Sequence, residues 1–250
     1  MGGKWRSVVF IDLDGTLISG PFGPGVWPAV LAELAAKSGL TSPAIYRLIE
    51  LENDARLANP GMPAVLTMDW DDITATVARA LGVTLEASVS ALAWAHAGPP
   101  HSYVLPGGEA ALQALAVPGR ALVVATKGLA RYQKPVLDAL GLTPLFDDIL
   151  TPETHSALKR DRRFFGGWPG QAETAIMVGD RYEDDVLYPA AHGFKTIWKP
   201  ENLPPALTDL DPFARARLYA YAPDQPARAD AIIAGLDELP ETVRQLENGR

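Results

Sequence analysis

Apolar and polar positions follow two rhythms along this chain, and the change of rhythm divides it. Near the start, Val8-Val9-Phe10-Ile11 is an unbroken apolar run of strand formers, the pattern of a strand buried on both faces. It ends in Asp12-Leu13-Asp14-Gly15-Thr16. From Pro28 to about Ala97 the period becomes helical: Ala29 to Lys37 closed by Gly39, Ser42-Pro43 opening a helix through Leu57, Asp69 to Leu81 closed by Gly82, and Glu86 to Ala95. Gly/Pro-dense stretches bracket this block. Ser19-Gly20-Pro21-Phe22-Gly23-Pro24-Gly25 reads as a loop that excludes helix and acts as a hinge, and Gly98-Pro99-Pro100 opens a second linker near residues 98 to 107.

Beyond the second linker, strand and helix patterns alternate. Leu105-Pro106-Gly107-Gly108 opens a helix through Leu115, Ala121 to Ala125 is a strand, and Leu129 to Leu140 is a helix closed by Gly141. A short strand at Asp148 to Leu150, a strand at Ala175 to Val178, a helix at Asp184 to Ala191 and a strand at Phe194 to Trp198 follow. Residues 199 to 227 are rich in Pro, Ala and Asp, with an amphipathic piece around Phe213 to Tyr221 and no chemistry of their own. A last strand, Ala229 to Ala234, and a helix from Glu241 complete the pattern. Such alternation predicts an α/β fold, a doubly wound parallel sheet covered by helices. Residues 1–18 and 104–250 form this core domain, and residues 19–103 form a helical domain inserted into it.

Composition narrows the chemistry. With 250 residues and 48% hydrophobic content the chain can bury a substantial core. Its 22 basic and 30 acidic residues give a net charge of -8, which excludes a general attraction to nucleic acid or to an anionic membrane. There is no cysteine, so disulfides, thiolate nucleophiles and thiolate metal sites are all excluded, and any metal must be held by oxygen or by one of four histidines. No apolar signal segment precedes the first strand, no stretch is long enough to span a bilayer, and Arg6 stands where a myristoylation signal wants Ser or Thr. A cytoplasmic protein is expected.

Charge gathers at the strand ends, where open parallel sheets place their ligand crevice. Asp12 and Asp14 repel each other there, which implies a cation or a shared proton; the plainer reading is an Asx turn at Asp14-Gly15. Leu122-Val123-Val124-Ala125 ends in Thr126-Lys127-Gly128, a hydroxyl, an ammonium and backbone amides that can hold phosphate oxygens, or simply a helix cap beside a solvated lysine. Ala175-Ile176-Met177-Val178 ends in Gly179-Asp180, followed by Glu183, Asp184 and Asp185, which also suit an acidic first helical turn. Lys159-Arg160-Asp161-Arg162-Arg163, a basic run, reads by itself as a solvated face.

Taken in order, Asp12-Leu13-Asp14-Gly15-Thr16, Thr126, Lys159 and Gly179-Asp180 with Asp184 and Asp185 resemble the motifs of the haloacid dehalogenase-like hydrolase superfamily, on its phosphatase branch, as in phosphoglycolate phosphatase-like proteins. The helical insertion sits where members carry an α-helical cap. The resemblance implies that Asp12 is the nucleophile that forms an aspartyl phosphate and that Asp14 is the general acid and base. It implies Mg2+ on Asp12, the Asp14 backbone carbonyl and Asp180. Thr126, with Thr16, Lys127 and Gly128, would bind the phosphoryl group, Lys159 would neutralise it, and Asp184 and Asp185 would stand behind the metal ligands.

Where members often place Asn or Ser, and Pro, this chain has Lys127 and Arg160, so Lys127 competes with Lys159; Lys134 fits a surface position better. Asp185 matches the final acidic position better than Asp184. The implied function is Mg2+-dependent hydrolysis of a small phosphorylated metabolite. The alternatives are a phosphomutase, a dehalogenase, and a non-catalytic or receiver-like phosphate-binding module. Asp14 separates these readings, because a halide leaves without a proton and a phosphate ester's alkoxide does not.

A cap selects the leaving group. Residues 17 to 104 carry four basic side chains (Lys37, Arg47, Arg56, Arg79) against eight acidic ones (Glu33, Glu50, Glu52, Asp54, Asp69, Asp71, Asp72, Glu86), a balance that suits a small or neutral group. Trp27, Trp70 and Trp94 are pocket candidates that read more naturally as core, and His96 and His101 as hinge or surface residues.

Overall fold

Successive residues of the first apolar run face opposite sides of a sheet. Strand β1 (Trp5–Ile11) sends Val9 and Ile11 into one apolar cluster and Val8 and Phe10 into another, and all four are fully buried. At roughly 1.5–3 kcal/mol for each large apolar side chain buried, β1 is held from both faces. The computed structural model describes residues 4–218 and 228–249. The end of the expected amphipathic piece, Tyr219 to Tyr221, lies outside the described residues.

After β1 come β2 (Ile18–Ser19) and five helices: α1 (Trp27–Ser38), α2 (Ser42–Ala58), α3 (Ala64–Thr67), α4 (Trp70–Ala80) and α5 (Val89–Ala95). Strand β3 (Tyr103–Val104) then pairs antiparallel with β2 in a separate two-stranded ribbon, so the two ends of the helical segment lie side by side. The helices surround an apolar core of their own, including Val30, Leu34, Ile45, Ile73, Val77 and Val89. Trp27 and Trp70 pack edge to face against it with ring centroids 5.3 Å apart, whereas Trp94 is exposed.

Three local expectations need correction. Part of the Gly/Pro-dense loop is helical: Phe22–Val26 forms a wide π-type turn running into α1, with Gly25 and Val26 N–H both donating to the Pro21 carbonyl at 2.9 and 3.0 Å. Pro24 is tolerated because a first turn has no use for its missing N–H. Helix α5 begins at Val89, not Glu86, because the Glu33 carboxylate accepts the N–H groups of Glu86 and Ala87 at 2.6 and 3.0 Å and Ser88 caps the helix through Ala91 N–H. Helix α3 is a single turn, too short to show a period.

The rest of the chain winds α6 (Gly108–Leu115), β4 (Arg120–Ala125), α7 (Ala130–Ala139), β5 (Asp148–Leu150), α8 (Pro152–His155), β6 (Ala172–Gly179), α9 (Tyr188–Ala191), β7 (Lys195–Trp198), α10 (Pro212–Leu218), β8 (Ala231–Ile232) and α11 (Leu239–Glu247). Among the described residues six strands form one parallel sheet in the order β5-β4-β1-β6-β7-β8. The chain builds outward from β1 to β5, then returns to place β6 on β1's other edge. That reversal makes the carboxyl ends of β1 and β6 the natural crevice of this doubly wound sheet.

The expected helix at 184 to 191 is instead a π-type turn, Tyr182–Leu187, followed by α9. Pro189 lacks the N–H that an α-helix would aim at the Asp185 carbonyl, and the wider turn relieves the crowding. Strand β8 is shorter than 229 to 234 because its partner β7 runs out, although Asp230 and Ile233 N–H still reach the Thr196 and Trp198 carbonyls at 3.0 and 2.9 Å. No described helix is long and apolar enough to cross a membrane.

Candidate active site

At the end of β1 the chain turns sharply. The Leu13 carbonyl accepts the N–H groups of Thr16, Leu17 and Ile18 at 3.1, 2.8 and 3.0 Å. Gly15 makes the turn at φ +80°, where a Cβ would also lie 2.6 Å from Asp180 Oδ2. This close approach brings the ends of β1 and β6 together. Asp12, Asp180 and Asp185 converge, with one oxygen from each within 4.8 Å of the others.

Lys159 settles among them. It sits in the loop after α8, is 1% exposed, and places Nζ 2.7 Å from both Asp12 Oδ1 and Asp185 Oδ1. The start of the basic run is therefore a buried ion-pair centre and not a solvated face. Burial alone would favour the neutral amine, but the charges of Asp12 and Asp185 prevail and hold Lys159 protonated well above its usual range. Lys127 has a different partner: its Nζ lies 2.5 Å from Asp184 Oδ2, and Lys134 is exposed. The geometry thus separates both pairs of alternatives, since Lys159 with Asp185 reaches Asp12 while Lys127 with Asp184 forms a flanking pair.

Asp185 is fully buried, and its other oxygen accepts Arg181 N–H at 2.9 Å. Burial raises its carboxyl to about 7 against the pull of Lys159. Asp180 is likewise raised, by burial and then by the charge of Asp12, with Thr16 Oγ1 donating to it at 3.1 Å in partial compensation. Thr16 is fully enclosed, and Asp12 Oδ2 lies 3.5 Å from its hydroxyl. Its partners are carboxylates. Asp184 runs the other way: burial would raise it, but Lys127 and Lys159 hold it below the usual carboxylate range.

One ammonium does not balance three carboxylates. Repulsion that pushes Asp180 upward, in a cluster with only oxygen donors, fits a hard divalent cation. Asp14 lies beside this cluster, raised to about 6 chiefly by burial and secondarily by Asp12 and Asp180, while a hydrogen bond from Gln133 Nε2 at 2.7 Å works the other way. Thr126, at the end of β4, is 3% exposed and its hydroxyl oxygen accepts Gly128 N–H at 3.0 Å, a local turn that leaves its O–H to donate. Thr126 caps no helix. Gln133 on α7 is a contributor that the sequence motifs do not single out; its signal is a polar residue in the inward stripe Leu129, Tyr132, Val136 and Leu137. Lys199 is another, with Nζ 2.9 Å from the Gly15 carbonyl.

A model of the haloacid dehalogenase-like hydrolase family matches residues 7–193. This chain belongs to that family. Solved structures agree on the fold. The hydrolase superposes on a HAD phosphatase from Thermococcus onnurineus with a TM-score of 0.68 at 21% identity, over 95% of this chain and 97% of that one. A putative HAD-hydrolase from Bacillus subtilis bound to magnesium gives a TM-score of 0.62 at 16% identity, covering 96% of this chain and 98% of the other. An L-2-haloacid dehalogenase from Xanthobacter autotrophicus gives 0.60 at 18%, covering 96% and 99%. No curated protein matches the sequence significantly.

Proposed function

We propose that this hydrolase is a Mg2+-dependent phosphatase of small phosphorylated metabolites, working through an aspartyl phosphate on Asp12. The observation that carries the reading is the second carboxyl, Asp14, half-buried beside the nucleophile, held by Gln133 Nε2 at 2.7 Å and raised to about 6. A dehalogenase has no need of such a group, since halide departs unprotonated. A phosphate ester's leaving alkoxide needs a proton, and a carboxyl titrating near neutrality can both give one and take one back.

In the first displacement a carboxylate oxygen of Asp12 bonds to phosphorus as the bond to the ester oxygen breaks, and Asp14 passes its proton to that oxygen. In the second, water bonds to phosphorus, its proton goes to Asp14, and the bond to Asp12 breaks to release phosphate and restore both residues. Lys159, already on Asp12, neutralises charge on the nucleophile and on the phosphoryl oxygens, while the Thr126 O–H and the backbone around Lys127 and Gly128 hold those oxygens in place. Thr16 orients Asp180 and Asp12, and Asp185 fixes Lys159. Asp12, Asp180 and the Asp14 carbonyl would hold Mg2+, with Asp184 and Asp185 behind them; a bound cation lowers the repulsion between nucleophile and phosphate. The Bacillus subtilis structure bound to magnesium supports that choice of ion.

Residues 19–103 serve as a cap over the core of residues 1–18 and 104–250. Arg131 on α7 pairs with Asp69, Tyr132 Oη lies 3.1 Å from Asp71 Oδ2, and Arg160 Nη1 donates to the Leu57 carbonyl at 2.9 Å. These contacts join the cap to the core directly beside the site. The test is a panel of phosphometabolites with Mg2+ and with chelator. Hydrolysis confined to the Mg2+ arm supports the reading, and a folded protein inert toward every phosphomonoester contradicts it.

A further inference from the structure

We infer that Gln133 is a positioning residue that fixes the proton-transferring oxygen of Asp14, an inference that rests on the phosphatase reading above. Gln133 occupies the inward stripe of α7 and is 3% exposed. Its neighbours on that stripe, Leu129, Tyr132, Val136 and Leu137, are all buried. A primary amide at such a position costs stability unless it is hydrogen-bonded. Its Nε2 donates to Asp14 Oδ2 at 2.7 Å, across 119 positions of sequence.

The space around this pair is built for it. A Cβ on Gly128 would stand 2.1 Å from Gln133 Nε2, and a Cβ on Gly20 would stand 2.2 Å from Asp14 Oδ1. The pair thus fills the space beside both glycines, one behind the amide and the other behind the carboxyl. Helix α7 is itself anchored, since Ala130 N–H donates to the Glu153 carboxylate at 3.1 and 3.2 Å and Asp71 N–H donates to Tyr132 Oη at 3.0 Å. Gln133 therefore holds one oxygen of Asp14 from a fixed support. The other oxygen, Oδ1, is left to carry the proton toward the ester oxygen and to receive the one from water.

Without the amide the Asp14 carboxyl can rotate and exchange its two oxygens. Proton transfer requires hydrogen-bond geometry at the reacting oxygen, and a misplacement of about 1 Å costs up to ~100-fold. Steps that need no proton escape this loss. Gln133 is therefore predicted to matter in proportion to how badly the leaving group needs its proton.

The test compares Gln133→Met, which keeps length and bulk but removes the donor, with the unaltered enzyme on two esters in Mg2+. Ethyl phosphate has a leaving group that must be protonated, and dinitrophenyl phosphate has one that leaves unaided. The expected result is a fall in kcat/KM of about 30- to 100-fold on ethyl phosphate and under about 3-fold on dinitrophenyl phosphate, with the loss in kcat. Gln133→Leu, which also removes the donor but with a shorter, branched side chain, is expected to show the same selectivity and carries the test should Gln133→Met fail to fold. Equal losses on both esters, or no loss on either, in folded variants of an active enzyme overturn the role of Gln133. An unaltered enzyme that hydrolyses neither ester nor any phosphometabolite overturns the phosphatase reading, and the inference with it.

Discussion

Lys159 brings a single positive charge into a pocket that holds the carboxyl groups of Asp12 and Asp185 at 2.7 Å each. Removing it leaves two buried carboxylates unpaired. Lys159→Met is expected to lower turnover by about 100- to 1,000-fold, as loss of one preorganised stabilising group does, and to cost about 3–5 kcal/mol of stability in denaturant melts without metal. Asp12→Asn should abolish turnover while the melting curve stays cooperative, since the amide keeps the shape and relieves repulsion. Retained phosphatase activity in that variant would sink the nucleophile assignment. Asp12, Asp14 and Asp180 are legible in the sequence because carboxylates at the ends of apolar strands have few structural uses. The choice between Lys159 and Lys127 is not, because which ammonium reaches Asp12 depends on how two loops from different strands fold over β1. Gln133 is illegible for a related reason: its partner is a carboxyl on another element, and glutamine belongs to no motif.

Helix α7 links the site to the inserted helices through three consecutive residues, Arg131 to Asp69, Tyr132 to Asp71 and Gln133 to Asp14. Tyr132→Phe removes the acceptor of Asp71 N–H and the donor to its carboxylate, and is expected to cost about 1–3 kcal/mol by thermal melting. At the opposite end of the sheet, Glu247 on α11 accepts from Arg120 Nε and Nη2 at 2.7 and 2.8 Å and from Ser7 Oγ at 2.5 Å. Burial would raise its carboxyl, but those donors prevail and hold it below the ordinary glutamate range. Its contribution is thus complete above about pH 4.5 and is lost as pH falls through its lowered value. Glu247→Gln should lower the melting temperature at neutral pH and flatten its decline in acid; an unchanged acid limb would contradict this. Elements with a strong helical period, such as α4, or an unbroken apolar run, such as β1, are visible in the sequence to within a few residues. The two π-type turns are not, because Pro24 reads as a break where the backbone merely widens, and the residues before Pro189 read as an ordinary helix running through it.

At the scale of the whole molecule, three carboxylates and one ammonium meet where the strand order reverses between β1 and β6, and the helices between β2 and β3 bear on that same edge. The cluster is short of positive charge, so a cation that binds the folded protein should stabilise it. Mg2+ at 100 times its Kd is expected to add about 2.7 kcal/mol, roughly 5–10 °C in Tm for a chain of this size, and Asp180→Asn should remove most of that gain. An equal gain in the variant would place the ion elsewhere. If Asp12 is the nucleophile, phosphorus becomes bonded to its carboxylate, and blocking the proton transfer of the second step should trap that bond. Asp14→Asn protein is mixed with dinitrophenyl phosphate and Mg2+, quenched in acid, digested, and its peptides are weighed. A phosphoryl group is expected on the peptide containing Asp12 and on no other; dinitrophenol released by that variant with Asp12 unmodified, or with another side chain phosphorylated, rules out an aspartyl phosphate on Asp12.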